Sequence, residues 1–262
     1  DSCRQAPVTR DPHQCMLNAE SMTAARIVIV VLIVGAIWAW QRPVSDASVP
    51  PGLVTLSIVG TTDLHGRVFP SDGQGGVAQL GGYLRNLRAA RALDGGAVLL
   101  LDAGDTFQGG IESNLSEGAL VVDAYNALGY DALAIGNHEF EYGAHDTVAG
   151  AGAPLDMRGA LKAAAARARF PFLAANLIDE ATGRPVAWPN VAPSTIIHTV
   201  GLQVGIVGVM TYDGLTQTLA ANVQGLNTAP LATTVEAEAR RLRRRGVDVV
   251  VVLAHAGGGC ER

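Results

Sequence analysis

Lysine is all but missing from the 262 residues: of 19 basic side chains, only Lys162 is a lysine. Alanine, glycine and arginine are abundant instead, a bias that reads as codon usage before it reads as chemistry. Basic charge is also the minority, 19 residues against 24 acidic ones for a net charge of −5. This excludes a protein that coats nucleic acid through its overall field. Cysteine is scarce. Cys3, Cys15 and Cys260 are too few for a disulfide scaffold, and none has metal-ligand spacing to another. No Gly-X-Y period accompanies the 31 glycines, so collagen is excluded and the glycines belong in turns and tight loops. What is plentiful is apolar surface. It makes up 48% of the residues, enough for a large core and too much for global disorder.

The longest apolar run is Ile27–Trp40, IVIVVLIVGAIWAW. Its 14 residues would cover about 21 Å as a helix, short of a hydrocarbon core of about 30 Å. Arg26 precedes it, Met22 stands just before, and Ser45-Asp46-Ala47 offers a small-residue cleavage site. Residues 22–47 therefore read as a secretory signal peptide or an uncleaved N-terminal anchor, with a buried core element as a third reading. If Met22 is the start, residues 1–21 are a non-native upstream extension. Residues 48–52 form a Pro-containing linker. Export puts the body in the periplasm or outside the cell, touching the inner membrane only through residues 27–40.

From Leu53 the pattern alternates. Strands are expected at Val54–Thr61, Ala97–Asp102, Ala132–Ile135, Phe172–Leu177 and Val247–Ala254. A hairpin is expected from Thr195–Val200 and Val204–Met210 around Gly201-Leu202-Gln203. Apolar residues at steps of three and four predict helices over 77–92, 119–128 (stopped by Gly129), 155–169 and 231–245. This is an α/β pattern with a mostly parallel sheet, and such sheets carry their sites beyond the carboxyl ends of the strands.

Four of those strand ends deliver polar residues of one chemical kind. They read Thr62-Asp63-Leu64-His65-Gly66, Asp102-Ala103-Gly104-Asp105-Thr106, Gly136-Asn137-His138-Glu139-Phe140-Glu141 and Ala254-His255-Ala256. Asp63 and His65 lie two apart, so on an extended segment both point to one face. Mixed imidazoles and carboxylates suit a divalent ion such as Zn²⁺, Mn²⁺ or Fe²⁺, and a carboxylate can bridge two of them. A pair of ions can clamp a phosphoryl group and activate a water.

The stretches TTDLHG, LDAGDTFQGG, GNHEFEYG and LAHAGG, with AANL and GIVGVMT, resemble in order the calcineurin-like metallophosphoesterases. More narrowly they are similar to the bacterial group of 5′-nucleotidases, UDP-sugar hydrolases and 2′,3′-cyclic phosphodiesterases. The resemblance runs from about Val54 to His255. It implies a four-layer α/β/β/α sandwich carrying two divalent ions over residues 53–262. Asp63 and His65 would ligate the first ion, Asp105 would bridge, and Asn137 and His255 would ligate the second. His138 would contact the phosphate beside Asn137 and protonate the leaving oxygen. The family usually orients that histidine with an acidic residue three positions on, most often Asp; here it is Glu141. The family also carries a Gly-His-x-His motif and a nucleoside-binding domain downstream of His255. This chain ends at Arg262 without them, so taken alone it is expected to be inactive.

Other polar residues have plainer readings. Asp102 caps a turn, His145 is a surface residue, His198 is structural, and Asn114 has no supporting spacing. The arginines at 240, 241 and 243–245 crowd the end of a helix, where cations complement the dipole. Arg67 is a candidate solvated phosphate contact. Cys260 suggests a partner cysteine elsewhere. The expected function is hydrolysis of a nucleotide or other small phosphate ester, with no nucleic-acid partner. The alternatives are a thiosulfohydrolase-type di-metal hydrolase and a metal-binding fragment without turnover.

Overall fold

A computed structural model describes residues 52–257 except 72, 74 and 146–154. The expected export segment 22–47 and Cys260 lie outside these residues. Among the described residues no helix is long and apolar enough to cross a membrane.

The chain enters through β1 (Leu56–Thr61), crosses by α1 (Val77–Leu93) and returns as β2 (Ala97–Asp102). These strands pair in parallel, from Leu56 opposite Ala97 to Thr61 opposite Asp102. The short α2 (Ile111–Leu115) precedes α3 (Ala119–Leu128), which stops where expected. Gly129 takes the left-handed conformation (φ 72°), and its N–H caps the Tyr125 carbonyl. β3 (Ala132–Ala134) leads into a 3₁₀ turn at His138–Phe140. The helix expected over 155–169 is shorter, as α4 (Gly159–Arg167). It is followed by β4 (Phe172–Leu173), β5 (Leu177–Asp179), β6 (Arg184–Pro185) and β7 (Val191–Ala192). Strands β1-β2-β3-β4-β7 form one sheet with every pairing parallel.

β8 (Ser194–Thr199) and β9 (Leu202–Met210) are the predicted hairpin with a tighter turn. Val200 (φ 43°) and Gly201 (φ 79°) both have positive φ, the geometry that two-residue hairpins require, so Leu202 and Gln203 join the strand. After α5 (Tyr212–Thr216), α6 (Ala220–Val223) and β10 (Leu226–Thr228), α7 (Leu231–Arg244) carries the chain to β11 (Val249–His255). β11 pairs in parallel with β9, giving a second sheet β11-β9-β8.

Side-chain alternation sets the layers. On β2, Leu100 packs outward among Leu84, Val121 and Tyr125 of α1 and α3. Its neighbours Leu99 and Leu101 pack inward against Val204 and Ile206 of β9 and Leu253 of β11. On β9, Val207 and Val209 turn the other way, toward Leu242 of α7. Helices, sheet, sheet and helix therefore stack in the expected four-layer α/β order. Strands buried on both faces explain why β2 and β9 read as unbroken apolar runs.

The strand expected over 172–177 is instead two strands in two sheets. β4 ends at Leu173, and β5 joins a small antiparallel sheet, β10-β5-β6. Asn176, buried between them, breaks the run. Its amide donates to the carbonyls of Met210 (2.7 Å) and Ala229 (3.1 Å) and its oxygen accepts the Met210 N–H. Just before it, the Ala175 N–H reaches across to the Gly208 carbonyl at 2.7 Å, tying the two sheets together.

That tie requires glycine at 208. A Cβ there would stand 2.4 Å from the Leu173 Cβ and 2.5 Å from its carbonyl oxygen. Gly208→Ala should therefore cost about 1–3 kcal/mol by overpacking. Gly60→Ala in β1, with nothing among the described residues within 4 Å of the added carbon, should stay within about 0.5 kcal/mol of the parent. Urea denaturation of the two variants makes the comparison; equal effects would mean that the sheets can part without cost.

Candidate metal centre

All the expected ligands, and the expected proton donor His138, lie at or just beyond strand C-termini: Asp63 and His65 after β1, Asp105 after β2, Asn137 and His138 after β3, His255 as the last residue of β11. The loops are not extended, however. Asp63 (φ 53°), His65 (φ 48°) and Asp105 (φ 57°) all adopt the left-handed conformation, which costs a non-glycine residue about 1–2 kcal/mol. The two loops hold each other in it. The N–H groups of Asp63, His65 and Gly66 donate to the carbonyls of Gly104 (2.9 Å), Asp105 (3.0 Å) and Thr106 (2.9 Å). The expected convergence of Asp63 and His65 is met by this route instead, with His65 Nε2 3.7 Å from Asp63 Oδ1.

Two imidazoles are oriented from behind. His65 Nδ1 lies 3.2 Å from the Gln108 carbonyl and His255 Nδ1 3.2 Å from the Ala103 carbonyl. A carbonyl only accepts, so each Nδ1 carries hydrogen and each Nε2 faces the cleft. His255 Nε2 lies 3.1 Å from both Asp105 Oδ2 and Asn137 Oδ1. Burial opposes charge on His255, but its hydrogen bond to Asp105 and the Asp105 and Glu139 charges outweigh it and raise its pKa. Burial likewise opposes ionisation of Asp105, yet hydrogen bonds from His255 and the His138 N–H, with the two imidazole charges, lower its pKa. The atoms that converge here on a proton are hard oxygen and borderline nitrogen donors, the set that suits a divalent ion.

Among the described residues, two groups of three ligand atoms lie within 4.8 Å of one another: His65, Asp105, His138, and Asp63, Asp105, His255. Asp105 is common to both. Asp63 stands near both His65 and His255, so the side chains alone do not sort into the two expected ligand sets. His138 sits edge-to-face on His65, with ring centroids 4.7 Å apart. Its Nε2 is 3.8 Å from Asp105 Oδ2, and its Nδ1 is 3.4 Å from Glu141 Oε1. The Glu141 contact is an ion-pair distance without hydrogen-bond geometry, and that buried Nδ1 has no hydrogen-bond partner among the described residues. A cleft of about 540 Å³ opens over the candidate ligands and His138, with Thr62, Ala103, Gln217, Ala254, Ala256 and Gly257 completing its wall.

The sequence profile of the calcineurin-like phosphoesterases matches residues 56–259. The chain belongs to that family. A snake venom 5′-nucleotidase from Gloydius brevicauda is 32% identical over 238 residues, covering 87% of this chain and 37% of the relative. A 5′-nucleotidase precursor structure from Thermus thermophilus superposes with a TM-score of 0.62 at 28% identity, over 77% of this chain and 37% of that one. A sulfate thiohydrolase from the same organism shares the fold, with a TM-score of 0.65 at 20% identity, over 79% of this chain and 45% of that one. The chain thus spans less than half the length of each.

This calcineurin-like domain also uses a residue that the motif reading passed over. Glu139, 1% exposed, sits between His138 and Glu141 but turns inward. Its Oε1 accepts the Thr106 N–H (2.6 Å), and its Oε2 accepts the N–H groups of Asp105 (3.0 Å) and Gly136 (2.7 Å). Burial first, then the Asp105 charge, pushes its pKa up to about 7, against the pull of those backbone donors. Gln217, beyond α5, was also not anticipated, since nothing in its spacing links it to the strand ends. The other polar residues lie as follows. Asp102 stays in its turn, Asn114 bonds Gly109 and Tyr142, and His198 is exposed. Arg240 and Arg241 pair with Glu236 and Glu238. His145, half-buried, pairs with Glu117 at 2.6 Å. Arg67 lies on a neighbouring cleft rather than this one.

Glutamine cannot replace Glu139, because its NH₂ would face backbone N–H groups. Glu139→Gln should cost about 2–3 kcal/mol in urea denaturation of the metal-free protein. Glu141→Gln should cost under about 1 kcal/mol. A mild Glu139→Gln would show that the carboxylate is not the clamp.

Proposed function

We propose that this chain is the metal-bearing part of an exported phosphoesterase that hydrolyses nucleotides, of 5′-nucleotidase or 2′,3′-cyclic phosphodiesterase type. The observation that carries the reading is Asp105, a buried carboxylate common to both ligand groups. Asp63, His65, Asn137 and His255 would hold two ions with it; Zn²⁺, Mn²⁺ and Fe²⁺ all match their chemistry. Ions held there supply Lewis acidity toward phosphate oxygens and toward the attacking water.

The chain's own groups do the rest. Asn137 and His138 face the cleft, where they would hold the phosphate. His138, with Nδ1 toward Glu141, would carry a proton at Nε2 and deliver it to the leaving oxygen. The His65 ring packed on it limits its rotation. The 5′-nucleotidases among its relatives support nucleotides as the substrate class.

Mn²⁺ titration calorimetry tests the metal assignment. Asp105→Asn should weaken both binding events, while Asp63→Ala should mainly weaken one; parental stoichiometry in Asp105→Asn would refute sharing. Turnover is measured on the gene product at its natural length. There His138→Asn should lower the rate on a nucleoside monophosphate by about 10²–10⁴-fold and much less on an aryl phosphate, whose leaving group needs no proton. Equal losses would leave His138 as a phosphate contact only. Export is tested by fusing residues 22–52 to a reporter active only outside the cytoplasm; a reporter silent in that fusion refutes it.

A further inference from the structure

Asp102 ends β2 and is wholly buried, three residues before Asp105. Both of its oxygens are committed. Oδ2 accepts the Thr61 hydroxyl (2.6 Å) and the Tyr125 hydroxyl (2.7 Å). Thr61 in turn meets the Tyr130 hydroxyl at 2.8 Å, and the two tyrosine rings stack with centroids 3.7 Å apart. This side of the carboxylate is anchored in the core. Oδ1 accepts the Gly104 N–H (2.8 Å) and the Thr106 hydroxyl (3.1 Å). Those two residues flank Asp105, whose left-handed backbone needs holding from both sides.

We propose that Asp102 is a positioning residue: by gripping Gly104 and Thr106 from the core it sets the direction in which the Asp105 carboxylate is presented, without itself touching an ion. The proposal rests on the reading of Asp105 as a metal ligand. It treats the buried carboxylate as an element of the site rather than of the β2 turn alone. Partners that orient a ligand typically change metal affinity by about 10–100-fold when removed. The oxygen at Oδ1, rather than the charge, performs the grip. Asparagine retains that oxygen, and the Thr61 and Tyr125 hydroxyls can turn to accept from its amide.

The test is Mn²⁺ affinity by calorimetry alongside unfolding of the metal-free protein, in the whole chain. Asp102→Ala should bind Mn²⁺ about 10–100-fold more weakly, and Asp102→Asn should restore most of the parental affinity. Asp131→Ala is the structural control. That carboxylate accepts the Leu100 N–H at 2.8 Å, next to β3 and outside the cleft lining. It should lose stability while keeping Mn²⁺ affinity. Where Asp102→Ala does not fold, Thr106→Val keeps the volume, removes one bond to Oδ1 and should weaken Mn²⁺ about fivefold. Parental affinity in folded Asp102→Ala or Thr106→Val overturns the proposal. So does an asparagine variant at 102 as weak as the alanine one, or an equal affinity loss in Asp131→Ala. A parent that binds no Mn²⁺ would instead overturn the metal reading on which the proposal stands.

Discussion

Three candidate ligands sit in backbone conformations that none would adopt alone. The hydrogen bonds between the loop at Asp63–Gly66 and the loop at Gly104–Thr106 keep them there. Glu139 adds a third loop to the bundle, since its carboxylate takes N–H groups from Asp105 and Thr106 on one side and Gly136 on the other. Close approach is part of the same constraint. A Cβ at Gly136 would stand 2.4 Å from Asp105 Oδ1, so the loop after β3 can reach Asp105 only as glycine. Strain of about 1–2 kcal/mol per left-handed residue is offset by backbone hydrogen bonds that bring the side chains into one small volume.

The layered core determines which loops can meet. Asp63, Asp105 and Asn137 come from successive parallel strands of one sheet, so their loops emerge side by side. His255 comes from the other sheet, and it arrives because the two sheets face each other through Leu99, Leu101, Ile206 and Leu253. The link between Ala175 and Gly208 closes the same gap on the β4 side. The His255 ring then anchors on the Ala103 carbonyl of the first sheet's loop. The site is thus a joint between sheets as well as a set of ligands, which connects core packing directly to ligand geometry.

Much of this was legible in the chain. The apolar runs of β2 and β9 announced strands buried on both faces, and Gly129 marked the end of α3. The histidines and carboxylates beyond four strand ends read as one candidate site, and the fold brings them to one cleft. Two features were not legible, for physical reasons. Residues 172–177 look like one strand because local propensity cannot show that Asn176 will satisfy backbone groups from β9 and from the loop before α7. Asp63 and His65 look extended because their left-handed geometry is imposed by a loop some forty residues away.

Nor can sequence tell which acidic residue presents itself to a ligand, although hydrogen bonding sorts them clearly. Asp102 and Glu139 have both oxygens taken up by N–H and hydroxyl donors, so they are part of the framework. Asp63 gives Oδ2 to the Thr62 hydroxyl (2.6 Å) and turns Oδ1 toward His65. Asp105 gives Oδ1 to the His138 N–H (2.9 Å) and turns Oδ2 toward the Nε2 atoms of His255 and His138. Each of these two carboxylates has one oxygen held by the protein and one facing imidazole nitrogens. A carboxylate held this way loses rotational freedom without losing its outward acceptor, the condition for a preorganised ligand. Asp105 would present to a cation the oxygen that the backbone leaves unengaged. Its other oxygen is already engaged by the backbone of the residue proposed to donate the proton, so the grip on Asp105 and the placement of His138 are one constraint.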